Sequence, residues 1–240
     1  MNKPYIVVSC PLDTFSGYGA RSRDVARALV NSEKSDVKFL SQRWGNTPFG
    51  FLDENNPEDK KLLDRIVNPQ MQRQPDVWIQ ISVPDEFQKL GKFNIGITAG
   101  IETDLCDVRF IQGCNNMDLI LGSSKHALFS LQNTQYEQKD NAGNKIGVIK
   151  LETPTDILFE GIDLEKYYYI EPKDLPKTEL VKSLDTIKEQ FCFLYVGHWL
   201  RGVIGEDRKN TGLVVKLFLE TFKGKKNPPA LVLKTMSGPA

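Results

Sequence analysis

The chain has 240 residues, of which 40% are hydrophobic and 26% are charged, the composition of an ordinary soluble globular protein. Its 31 Lys and Arg residues balance its 31 Asp and Glu residues, so bulk charge gives no reason to expect a nucleic-acid or membrane-surface partner. The length allows one large domain or two small ones.

Four widely spaced cysteines indicate a reducing compartment. Cys10, Cys106, Cys114 and Cys192 include no C-x-x-C pair and no Cys/His spacing typical of zinc. No apolar run approaches the roughly 20 residues that span a bilayer, and the N-terminal residues lack the features of a signal peptide. We therefore expect a cytoplasmic protein with no transmembrane segment.

Strand-like and helix-like segments alternate along the first half, which predicts an α/β fold with a Rossmann-like parallel sheet. Strands are predicted at 5–9, 37–40, 77–83, 93–100, 119–124, 146–151 and 157–163, and helices after Gly19, from Pro57 and from Lys125. Residues 133–144 are almost entirely hydrophilic and predict an exposed hairpin or loop.

Two glycines follow the first strand. Gly17 and Gly19 are predicted to lie in a loop before a helix, as in dinucleotide-binding proteins, but Ser22 occupies the place of the third glycine of that motif. Residues 41–43, after the second strand, lack the expected acidic residue. A nicotinamide site is therefore disfavoured. The remaining interpretations are a glycine loop that approaches a phosphate or sugar, and a simple tight turn.

Acidic and imidazole side chains follow later strands. Glu102 comes after the fourth strand and His126 after the fifth, at the strand ends where open α/β sheets bind ligands. Both are therefore candidate catalytic residues. Alternatively, Glu102 caps a helix or pairs with an arginine, and His126 is a structural residue at a helix start.

The second half begins after a proline-containing, charged segment. We expect domains at 1–170 and 190–240, joined by a linker at 171–189, and the second domain is short for a complete Rossmann-like domain. A strand ends at Gly197, and Arg208 and Lys209 precede a helix at 212–222. This pattern indicates a diphosphate site, because glycine, two cations and a helix N-terminus all favour an anion. The alternative is a solvated loop.

Six pieces of the sequence, in this order, together resemble the GT-B glycosyltransferases, in particular the retaining glycosyltransferase family 4. They are SGYGARSRDVARAL, GITAGIETD, CNNMDLILGSSKHA, FEGID, FLYVGHW followed by EDRKN, and LVLKT. No single piece is specific, but the ordered set covers nearly the whole chain. The resemblance implies two Rossmann-like domains, of which the second is incomplete.

The resemblance also implies roles for individual residues. Gly17 and Gly19 match the N-terminal glycine loop, and Glu102 matches an acidic residue of the cleft. Ser124 and His126 match the end of a strand beside that cleft. Gly197, Arg208 and Lys209 match the loop that holds the donor diphosphate. Relatives often carry Trp or His at the two positions before this acidic residue, where the present chain has Gly100 and Ile101.

The implied activity is transfer of a hexose from a nucleotide-sugar donor to a sugar, lipid or protein acceptor. No metal and no cofactor are expected, because Arg, Lys and a helix dipole neutralise the leaving diphosphate. Because a carboxylate motif of this family would follow Ala240, we expect a truncated product or a completing partner chain, and self-association through the incomplete sheet. The alternatives are a non-catalytic sugar-binding or assembly module and a nicotinamide-dependent oxidoreductase or epimerase.

Overall fold

A computed structural model describes residues 3–67, 73–165, 167–197, 199, 204–206 and 209–235. The chain forms two compact units, Met1–Ile162 and Asp163–Ala240, which are described separately. The described residues form ten strands: β1 (Tyr5–Cys10), β2 (Asp36–Ser41), β3 (Val77–Ile81), β4 (Phe93–Thr98), β5 (Leu119–Gly122), β6 (Gln135–Lys139), β7 (Lys145–Lys150), β8 (Thr155–Ile157), β9 (Cys192–Val196) and β10 (Ala230–Lys234). The α-helices are α1 (Gly17–Asn31), α2 (Pro57–Leu63), α3 (Val108–Asn115), α4 (Lys125–Asn133), α5 (Glu179–Leu184) and α6 (Thr211–Phe222).

A six-stranded sheet organises the first unit. Its order is β2-β1-β3-β4-β5-β8, and every neighbouring pair is parallel. From β1 the chain moves outward to β2 and then returns to the other side of β1 to form β3. The predicted α/β class and parallel sheet are therefore confirmed, and the ends of β1 and β3 mark the point where the strand order reverses.

Two hydrophobic cores lie on the two faces of this sheet. The α1–α2 core joins Ala26 of α1 and Leu62 of α2 to Phe39 of the sheet. The α3–α4 core joins Ile111 of α3 and Leu131 of α4 to residues that include Val7, Trp78 and Ile120. Continuous apolar strands are typical of a sheet covered on both faces.

The hydrophilic insertion forms the antiparallel hairpin β6–β7, which confirms the predicted exposed hairpin. One strand prediction needs correction. The strand expected at 157–163 is β8, which ends at Ile157 after three paired residues. The segment expected to be a linker contains a 3-10 helix at Pro172–Asp174 and helix α5, which Thr178 caps through its side chain.

The described part of the second unit contains one parallel strand pair, β9 and β10, connected through α6. Alternate residues of β9 contact the helix: Phe193 packs against Phe218 and Phe222, and the Tyr195 hydroxyl bonds Thr211. Because side chains alternate along a strand, Leu194 and Val196 point to the other face, and both are more than 60% exposed.

Candidate functional site

The carboxyl ends of the parallel strands meet at one edge of the first unit's sheet. Gly17 and Gly19 follow β1, Glu102 follows β4, and His126 follows β5. The sheet therefore brings the predicted residues of this unit to the edge where open α/β sheets bind ligands.

The prediction that Gly17 and Gly19 lie in a loop is wrong, because α1 begins at Gly17. Ser16 caps the helix by accepting a hydrogen bond of 2.9 Å from the Gly19 N–H. A Cβ at Gly19 would lie 2.4 Å from the Thr14 carbonyl oxygen, whereas a Cβ at Gly17 would meet nothing within 4 Å. Gly19 thus permits close packing of the helix start, which supports the tight-turn interpretation for that glycine.

Tyr18, between the two glycines, joins three strand ends. Its hydroxyl lies 3.2 Å from the Thr98 hydroxyl and accepts a hydrogen bond of 3.1 Å from the Ala99 N–H. Its ring stacks on Trp44 at a centroid distance of 4.0 Å. The first turn of α1 is therefore fixed to the end of β4 and to the segment after β2. Sequence reasoning missed the role of Tyr18.

Carboxylates lie near this phenol. Burial raises the pKa of Tyr18 above its ordinary value, and the negative charges of Glu160 and Glu86 act in the same direction. Glu86 belongs to a 3-10 helix at Pro84–Glu86, directly after β3, and Glu160 follows β8. Neither was a candidate from sequence: Glu86 lies in a proline-containing segment after the predicted strand 77–83, and Glu160 lies inside the predicted strand 157–163.

Glu102 and His126 are both exposed, and neither caps a helix. Asp107 is the N-cap of α3, and Ser124 is the N-cap of α4, where its hydroxyl accepts from the Ala127 N–H at 3.1 Å. The capping interpretation of Glu102 is therefore wrong. Gly100, with φ +72°, approaches Ala127 so closely that a Cβ would lie 2.8 Å from the Ala127 carbonyl oxygen. The segment before Glu102 thus packs against the first turn of α4.

In the second unit, Gly197 and Lys209 flank the loop between β9 and α6. The Gly197 N–H donates to the Lys234 carbonyl at 3.1 Å, and a Cβ at Gly197 would lie 2.8 Å from the Tyr195 hydroxyl. That hydroxyl also lies 3.4 Å from the Lys209 carbonyl oxygen. Lys209 is two residues before the start of α6, and Arg208 lies outside the described residues.

Each unit has a concavity among its described residues. In the first unit, about 500 Å³ lies at the carboxyl ends of β1, β2 and β3, with Trp44 and Glu86 in its wall. In the second, about 610 Å³ lies beside Phe191 and Pro229, directly before β9 and β10. The larger concavity is therefore at the amino ends of its strands, away from Gly197. Ligands of parallel sheets bind at the carboxyl ends, so the first-unit cavity is the better candidate site.

Within the described ranges, no group of three or more His, Cys, Asp or Glu residues is arranged to hold a metal ion, and no helix is long and apolar enough to cross a membrane. Comparison of the chain with models of known protein families and with curated protein sequences finds no match.

Proposed function

We propose that the protein is a GT-B-type glycosyltransferase that transfers a hexose from a nucleoside diphosphate sugar to a hydroxyl of an acceptor. The observation that carries the proposal is the start of α6. There a glycine in close contact with Tyr195 follows a parallel strand, and Lys209 lies two residues before a twelve-residue helix. A helix N-terminus and a nearby cation both stabilise a phosphate group.

The cap of α6 fits this role. Asn210 takes the left-handed conformation, with φ 52° and ψ 29°, and its side chain makes no capping hydrogen bond within the part of the chain that is described. Sparsely populated backbone conformations are common at ligand sites. The structural support is therefore a helix N-terminus that its own N-cap side chain does not satisfy, with a cation beside it.

The proposed chemistry breaks the bond between the anomeric carbon and a phosphate oxygen. The electron pair of that bond stays on the leaving diphosphate, where Arg208 and Lys209 stabilise the growing negative charge. The acceptor oxygen bonds to the anomeric carbon and gives up its proton. Glu102 and His126, at the sheet edge of the first unit, are the candidate groups for positioning the acceptor and receiving that proton.

Calorimetric titration of the full chain with UDP and with GDP tests the donor site. We expect saturable binding of at least one nucleotide and a loss of affinity of about tenfold or more in Arg208→Ala/Lys209→Ala, because two charge-assisted contacts disappear. Lys223→Ala/Lys225→Ala removes the same charge at the other end of α6 and should bind as the wild type does. Unchanged affinity in the first variant, or an equal loss in the second, would contradict the proposal.

A further inference from the structure

The cavity at the carboxyl ends of β1, β2 and β3 has a mixed polar and aromatic lining. It lies on the sheet face that carries Leu40 and Trp78, opposite the α1–α2 core. Its volume of about 500 Å³ is within the range of small-molecule sites. The polar side chains of the lining are Ser9, Gln42, Arg43, Gln80, Ser82, Glu86 and Gln88. None of them belongs to the proposed donor site.

Hydrogen bonds hold the acidic wall of the cavity in place. Gln80 is buried on β3, where its Nε2 donates to the Glu86 carbonyl at 2.7 Å and its Oε1 accepts from the Gln88 N–H at 2.9 Å. The buried Ser82 hydroxyl bonds the Glu86 carboxylate. A carboxylate has about four acceptor sites, so Glu86 can accept further hydrogen bonds from a ligand. Its position is set before any ligand arrives, which lowers the entropic cost of binding.

An aromatic ring forms another wall. Trp44 stacks on Tyr18 with an interplanar angle of 25°, and Tyr18 is in turn bonded to Thr98 and Ala99. The indole therefore packs against a ring that is itself bonded to the end of β4. A flat aromatic wall beside hydrogen-bonding groups suits a ligand with both an apolar C–H surface and several hydroxyls.

The charges in the lining favour a neutral ligand. Glu86 would repel an anion, and Arg43 would repel a cation. A hydroxyl satisfies both groups, because it can donate to a carboxylate and accept from a guanidinium. The amides of Gln42 and Gln88 likewise supply both donors and acceptors. Sugars are the common ligands that combine many neutral hydroxyls with a C–H face.

We propose that this cavity binds a neutral carbohydrate of one or two rings through Glu86, Gln42 and Trp44. This proposal extends the proposed function and rests on it in one respect: if the protein is a glycosyltransferase, the sugar bound in this cavity is the acceptor. Sugar binding itself is independent of donor chemistry, so the two proposals can fail separately.

Indole N–H resonances of the full chain provide the test, since the chain has three tryptophans. The ligands are glucose, galactose, mannose, N-acetylglucosamine, maltose and cellobiose, each raised to tens of millimolar. We expect at least one sugar to shift the signals of Trp44 and Trp78 saturably. The proposal is overturned if none of the six moves the Trp44 signal.

Two variants locate the site. Glu86→Gln can keep a bond to Ser82 but removes the charge, and we expect affinity to fall about tenfold, because a charge-assisted hydrogen bond to the sugar becomes a weaker neutral one. Asp85→Asn makes the same change at the adjacent residue, which does not line the cavity, and should bind normally. Equal affinities for the two variants would refute the role of Glu86. If sugar binding is as proposed but UDP and GDP do not bind, the cavity stands and the transferase function fails.

Discussion

At the residue scale, the loop before α1 depends on Arg23, a buried cation of that helix. Arg23 is only 3% exposed, and its Nη1 donates to the carbonyls of Leu12 and Thr14, each at 2.9 Å. Its guanidinium carbon lies 3.4 Å from the centroid of the Phe51 ring. Burial lowers the pKa of Arg23, yet the group stays charged at any pH the fold tolerates. A buried cation must therefore keep these carbonyl partners.

Arg23→Met should lower the free energy of unfolding by about 2–4 kcal/mol, because two buried carbonyl groups lose a charged donor. Urea unfolding followed by circular dichroism measures the change. Arg109→Met is the matched control, since Arg109 pairs with Asp107 at a side-chain exposure of 68% and its loss should change the stability little. If the two variants lose equal stability, Arg23 does not hold the loop.

The residues that line the first-unit cavity could not be predicted from the sequence. Trp44 and Glu86 follow different strands and are 42 positions apart in the sequence, yet both line one cavity because β2 and β3 flank β1. Strand order is a property of the sheet and leaves no local mark on composition or periodicity. Glu102 and His126 could be found because each lies two residues after the end of a predicted strand, and that is a local pattern.

At the element scale, the beginning of α1 separates the two glycines that the sequence pattern treats alike. Gly19→Ala would place a methyl group 2.4 Å from the Thr14 carbonyl oxygen and 2.7 Å from its hydroxyl. We expect a loss of about 1–3 kcal/mol, the usual cost of overpacking. Gly17→Ala meets open space and should be neutral or stabilising by up to about 1 kcal/mol, because alanine has less backbone freedom to lose.

Urea unfolding of both variants and the wild type gives the comparison, with the midpoint and slope fitted separately. A Gly19→Ala protein as stable as Gly17→Ala would contradict the tight packing of the helix start. Had both glycines been needed only for a ligand, neither substitution would lower stability.

The presence of most strands and helices could be predicted from the sequence, but the residues at which they begin and end could not. Strands β1 to β5 are short segments rich in apolar residues, which is why their approximate positions could be predicted. The start of α1 was misplaced because Gly17 and Gly19 suggested a loop, whereas the Ser16 cap allows the helix to begin there. Helix α5 was missed since flanking prolines and scattered charge resemble a linker, although Thr178 is an ordinary N-cap. In both cases a side-chain cap outweighed composition.

At the scale of the whole molecule, the two units differ in how completely their sheets are covered. The first unit buries its sheet between the α1–α2 core and the α3–α4 core. In the second unit α6 covers one face of β9 and β10, while Leu194 and Val196 on the other face remain exposed. The reactivity of the cysteines can report this difference, because three of them lie in the first unit and Cys192 lies on β9 of the second.

In a thiol-labelling experiment at pH 8, one cysteine should therefore react fast and three should react slowly. Cys192 is exposed, whereas Cys10, Cys106 and Cys114 are buried. Burial raises the pKa of Cys10 and of Cys114 to about 12, so these thiols are protonated at pH 8 and react only after the structure opens. Cys192→Ser should abolish the fast phase and leave the slow phase unchanged. Two fast thiols in the wild type would mean that one core is open.

The slow phase also tests whether the first unit is cooperative. Cys10 belongs to the α1–α2 core and Cys114 to the α3–α4 core, and the two cores share one sheet. If the sheet couples them, Cys10 and Cys114 should become reactive with the same opening free energy and the same urea dependence. Single-cysteine proteins made in the Cys192→Ser background measure each site alone. A lower opening free energy at Cys114 would show that α3 and α4 detach while β1, α1 and α2 stay folded, so that the core around Trp78 would open before the rest of the unit unfolds.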